Sequence, residues 1–124
     1  MSANAATDSN SNPIGVNANT NVVVSSLSLT IPRGRAHTAF LIGHFSGDTI
    51  AANGGEAVAG ILVDGNLMMD TLVNNLQGNS GTLLSLSGVL SLKAGRHRFE
   101  LQAFMTNMTS AAVHHRSLTV IDLG

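Results

Sequence analysis

Five histidines, at positions 37, 44, 97, 114 and 115, are the side chains best suited to bind a metal ion or pass a proton near neutral pH. Their spacing argues against a local site. Residues an odd number apart along a strand point to opposite faces, so His114 and His115 diverge, and so do His37 and His44. One of the 114–115 pair could still meet its symmetry mates at a threefold axis; the favoured reading is strand histidines held by ordinary hydrogen bonds. The carboxylates are scattered. Asp64 belongs to the turn Asp64-Gly65-Asn66, where its side chain is expected to bond its own backbone. Asp48, Glu56 and Asp70 lack the close alternating spacing of a calcium loop. Asn53-Gly54-Gly55 and Gly78-Asn79-Ser80-Gly81 are not followed by the Lys and helix of a phosphate cradle, and no Gly-x-Ser-x-Gly elbow occurs. With no Cys, thiol catalysis and thiolate zinc are excluded. No catalytic residue, metal or other cofactor is expected, and the chain does not read as an enzyme.

The composition narrows the remaining classes. Of 124 residues, 10% are charged and 3% aromatic, whereas a soluble domain usually carries about 25% charged residues. Six Lys and Arg against seven Asp and Glu supply no basic field, and four Phe supply no stacking platform, so nucleic acid is excluded as a partner. Ser, Gly, Asn or Asp interrupts every apolar run, and Met1–Asn21 holds no Lys or Arg. Neither a membrane partner nor a secretory leader is expected.

The elements that must position these residues follow a period of two. Residues 1–21 are rich in Asn, Ser and Ala without apolar periodicity, and read as an extended N-terminal arm. The body, 22–124, alternates. Leu27, Leu29 and Ile31 oppose Ser26, Ser28 and Thr30, as in a half-buried strand. Further strands are expected at 36–46, 56–63, 67–73, 82–92, 96–105 and 112–123, with a short helix competing at 67–76 and loops at 47–55 and 74–81. Asp64-Gly65 marks a hairpin. Seven or so short strands predict an all-β fold, an antiparallel β-sandwich of the jelly-roll kind. An internal echo agrees: Leu27-Ser28-Leu29 before Arg33-Gly34-Arg35-Ala36-His37 is repeated as Leu90-Ser91-Leu92 before Lys93-Ala94-Gly95-Arg96-His97.

The segment 92–101, LKAGRHRFEL, together with 116–123, RSLTVIDL, resembles the last hairpin of the small trimeric jelly rolls of phage and bacterial structural proteins, which are similar to the tumour-necrosis-factor-like group. The resemblance implies a homotrimer with an assembly or attachment role. Among phage proteins it implies a head decoration protein that cements the capsid exterior, and hence a place on the virion.

Contact residues follow from these readings. The arm is expected to lie along a capsid or other large assembly through Asn4, Asp8, Asn10, Asn12, Pro13, Ile14 and Val16. Arg96 and Arg98 share a strand face with Glu100 and Gln102, opposite Phe99, Leu101, Ala103 and Met105, and with Arg33 and Arg35 they offer a basic rim. The strand at 36–46 is apolar on both faces, so Phe40 joins these arginines, His114 and His115 as an expected subunit contact. Met68, Met69, Met105 and Met108 read as gap-filling core residues. The competing reading is a trimeric lectin-like module binding glycans through Asn53, Asn75 and Asn79, although no Trp or Tyr is present to stack on a sugar.

Overall fold

The computed structural model describes residues 4–124, and of Asn4 only its place in a strand. Seven strands follow one another: β1 (Asn4–Asn10), β2 (Ile14–Asn17), β3 (Val22–Ile31), β4 (His37–Val63), β5 (Asn66–Leu92), β6 (Gly95–Thr106) and β7 (Ser110–Asp122). All pair antiparallel. The short helix considered at 67–76 is strand.

The long hairpin of β4 and β5 organises the sandwich. Residues 39–50 of β4 pair with β7, which carries β1 and β2 on its far edge. Residues 56–63 of β4 pair instead with β6, which carries β3. One layer is therefore β1-β7-β4-β5 and the other β3-β6-β4-β5, an eight-position jelly roll in which two strands serve both layers. Passing between layers requires a corner. The register slips at Thr49/Ala52, Asn53/Gly55 and Gly55/Ala57, and positive φ occurs at Ala51 (53°), Gly54 (66°), Asn75 (57°) and Gly78 (61°). Turn-forming residues at 47–55 and 74–81 thus bend continuous strands, where loops were expected. The hairpin tip is as anticipated, a two-residue Asp64-Gly65 turn with φ of 52° and 84°.

Alternation fills the space between the layers. Leu41, Phe45, Ile61, Phe99, Leu101, Met105, Leu118 and Val120 are fully or almost fully buried, and each large apolar side chain so placed contributes about 1.5–3 kcal/mol. Two phenylalanine rings and many aliphatic side chains suffice for the core. Met105 and Met108 join it and Met69 packs on its edge, but Met68 is half exposed, because neighbours on a strand face opposite ways.

The segment read as an extended arm pairs along β7 of its own chain. Asn4–Asn10 pairs with Arg116–Asp122, and Ile14–Asn17 with Ser110–Val113. Val16 is 1% exposed and Ile14, partly buried, packs on the core. Asp8 crosses to the other layer, where its Oδ2 accepts hydrogen bonds from Ser25 Oγ at 2.5 Å and Ser26 N at 3.1 Å. The boundary placed at 21/22 therefore falls between two strands of one sandwich. Met1–Ala3 lie outside the described residues.

Candidate interaction surface

Strand register places the outward side chains of the β1-β7-β4-β5 layer in rows. Ala5, Ile121, Phe40 and Val89 form one; Thr7, Thr119, Ile42 and Ser87 the next; Ser9, Ser117, His44 and Ser85 a third. The Thr7 and Thr119 hydroxyls meet at 3.0 Å, as side-by-side residues on one face should. Leu123 and Thr38 extend the surface beyond Ile121 and Phe40, joined by a backbone hydrogen bond of 2.8 Å. No Asp, Glu, Lys or Arg stands in any of these rows, while Val89 is 62% exposed, Leu123 43% and Ile42 37%.

The opposite layer differs. Its outer face carries Arg96, Arg98 and Glu100 on β6 and Asp70 on β5. Most outward charge thus lies on that layer, while Asp48 stands outward at the far end of the other, whose three rows present an apolar and hydroxyl surface of the kind that marks contact sites. Its outer edge is β5, which pairs only with β4 and carries no charged residue between Asp70 and Lys93. Native edge strands are usually guarded by Lys, Pro or a bulge.

The expected contact residues divide accordingly. Phe40 lies in the uncharged face, partly exposed. Arg33, Arg35 and Arg96 are exposed at one end of the sandwich, brought there because Ile31 pairs with Gly95, while Arg98 Nε sits 3.8 Å from Glu100. His114 and His115 were expected to diverge, but the extra residue of β7 opposite Phe45–Gly47 lies at this pair, and with Val113 and Arg116 buried on either side both turn outward. His114 Nε2 meets Asp48 Oδ2 at 2.8 Å, and His115 is exposed beside His44 and Ser117. Of the arm residues, Pro13 is exposed, Asn10 Oδ1 accepts the Asn12 amide at 2.8 Å, and the Asn12 carbonyl accepts Arg116 Nη1. Asn79 and Asn75 accept hydrogen bonds from Ala51 N (2.9 Å) and Gln77 Nε2 (3.1 Å), which holds the corner of the hairpin. Asn53 is exposed there. No three His, Asp or Glu side chains converge on one point among the described residues.

Two further histidines bond aspartates, and both follow the echoed motif. His37 Nδ1 reaches Asp122 at 2.8 Å and His97 Nδ1 reaches Asp64 at 2.7 Å, each after a glycine of positive φ, Gly34 (130°) and Gly95 (124°). Asp64 thus bonds β6, not its own turn. The Arg98 amide holds its carboxyl below the ordinary carboxylate value, with His97 helping. The Lys93 carbonyl raises His97, burial opposes this, and Asp64 assists. His37, then the Gly124 amide, lowers Asp122 against its burial. These pairs fasten strand ends and lie apart from the uncharged face.

Arg116 escaped the sequence reading. It shares parity with Leu118, Val120 and Asp122, so alternation alone turns it inward, and it is 6% exposed.

No protein-family model matches the chain, and no curated protein does. Among solved structures, 217 chains match. One belongs to T=1 particles derived from infectious bursal virus: 13% identical, TM-score 0.64, covering 96% of this chain and 31% of that one. Another is the insecticidal delta-endotoxin Cry8Ea1 of Bacillus thuringiensis, 11% identical with a TM-score of 0.52, covering 90% of this chain and 20% of the toxin. The chain thus spans a third or less of these neighbours, and at such identities the likeness is one of fold: an all-β, antiparallel jelly roll found both in a viral capsid protein and in a toxin.

Proposed function

We propose that this chain is a structural assembly protein that associates with copies of itself through the uncharged face of the β1-β7-β4-β5 layer, as a homotrimer that decorates and stabilises a viral capsid. The observation that carries the reading is the segregation of charge. One outer face bears Arg96, Arg98, Glu100 and Asp70, and the other, with Phe40, Ile42, Val89 and Leu123, bears Asp48 alone among the described residues, at its far end beside His114. An apolar surface on a chain with 10% charged residues is a solubility hazard unless another subunit covers it. A second copy is the natural occupant, since closed symmetric association buries the same patch on every subunit. Assembly on a virion is further supported by the use of this fold in infectious bursal virus particles.

The tied N-terminal segment moves the expected contact from the arm to the sheet. Electron microscopy of the native assembly tests the capsid part: trimeric knobs on a shell are expected, and unattached particles beside bare shells would overturn it.

A further inference from the structure

Arg116 is a buried cation without a counter-charge. Nη1 bonds the carbonyls of Asn12 and His114 (the latter at 3.1 Å), Nε has no partner, and no carboxylate lies within salt-bridge distance among the described residues. Removing a charge from water costs several kcal/mol, so a buried guanidinium with neutral acceptors alone is an attractive seat for an anion.

The fold leaves room for one. β1 ends opposite Arg116 and β2 resumes opposite Val113, so Ser11–Pro13 pass His114 and His115 without ladder pairing. Beside this gap opens a cleft of about 490 Å³, lined by Ser9, Asn10, Ser11, His44, His115, Arg116 and Ser117. No Asp or Glu lines it. Every lining side chain can donate a hydrogen bond, as the oxygens of a tetrahedral oxyanion require. The volume exceeds that of a bare phosphate and lies within the range of small-ligand sites.

We infer that this cleft binds a phosphate or sulfate monoester of a small hydroxylated molecule such as a sugar. Arg116, whose Nη1 reaches the β1–β2 gap at Asn12 from the inner side, supplies the fixed charge, and His44, His115, the serines and Asn10 supply hydrogen-bond donors. The site takes in Ser9, Ser117 and His44, the polar third row of the same sheet face, so it rests on self-association proceeding through the apolar rows and leaving this end open.

The test is an amide NMR titration of the full chain with sodium sulfate and with glucose 6-phosphate, against glucose and against sodium chloride at matched ionic strength. Saturable shifts confined to residues 9–11, 44 and 115–117, with half-saturation near or below about 1 mM, are expected for the ester. Tighter binding of glucose 6-phosphate than of sulfate identifies the ester as the fitting ligand; sulfate alone would reduce the site to one for a free oxyanion and overturn the monoester. Arg116→Gln removes the charge but also a bond to Asn12, so the deciding variant is the surface double change His44→Ala/His115→Ala, expected to weaken binding about tenfold or more. Equal shifts with chloride or glucose, no saturable shift, or unchanged binding by the double variant would each overturn the proposal.

Discussion

His97 and Asp64 meet at 2.7 Å through Nδ1, while His97 Nε2 lies 2.7 Å from the Lys93 carbonyl. Acceptors stand at both ring nitrogens, so both are best satisfied when each carries a proton. The pair joins the tip of the β4–β5 hairpin to the first turn of β6, with the Arg98 amide adding a third bond at 2.9 Å to Asp64.

A pH dependence follows. The His97 value is raised above its ordinary 6.5, so its contribution is complete below that value and is lost as pH climbs through the folded value. Asp64 and Asp122 are lowered below 3.8, so theirs is complete above that value and is lost as pH falls through the folded ones. Denaturant midpoints should therefore be highest between the two ordinary values and decline on either side. His97→Gln should flatten the alkaline limb and cost about 1 kcal/mol in the plateau. An unchanged alkaline limb in that variant would refute the assignment.

The second prediction concerns the register slip between β4 and β7 at Phe45/Gly47, where β7 carries the extra residue. A Cβ at Gly47 would stand 2.6 Å from the Ala112 carbonyl oxygen, a backbone atom that cannot swing aside, whereas one at Gly15 meets nothing within 4 Å. Gly47→Ala is expected to destabilise by about 1–3 kcal/mol, the usual range for overpacking. Gly15→Ala should leave the thermal midpoint nearly unchanged. Equal effects in calorimetry would contradict the register.

Asp8 is predicted to hold the open side of the sandwich shut. Asp8→Ala leaves Ser25, 4% exposed, without its carboxylate partner, a loss worth about 1–3 kcal/mol. Amide exchange should accelerate in residues 5–10 while the β4–β6 ladder stays protected. Uniform acceleration, or none, would show that the contact does not fasten β1 locally.

The strands were legible wherever a single face is buried. Leu101, Ala103 and Met105 alternate with Glu100, Gln102 and Phe104 as a period of two demands, and the β6 and β7 spans follow from it. The corner of the hairpin was not legible, because Gly54 and Asn75 signal left-handed backbone without saying whether the chain turns back or bends and continues. Nor was the seating of β1: Asn-Ala-Ala-Thr-Asp-Ser-Asn carries no apolar stripe, and it is ordered by ladder bonds to β7 and by Asp8 reaching Ser25. The face at Phe40 and Ile42 could be suspected from a strand apolar on both sides. That its neighbours in space are also uncharged depended on the pairing of β4 with β5 and β7, a long-range relationship absent from local sequence.

The most direct test of self-association through the uncharged face is the solution mass of the chain and of its Ile42→Lys/Val89→Lys variant by sedimentation equilibrium. Both positions are exposed in the single chain, so the variant should fold. The account predicts three times the 12.8 kDa chain mass for the native protein and 12.8 kDa for the variant. A native protein that sediments as a single 12.8 kDa chain, or a variant that remains a trimer, would contradict it.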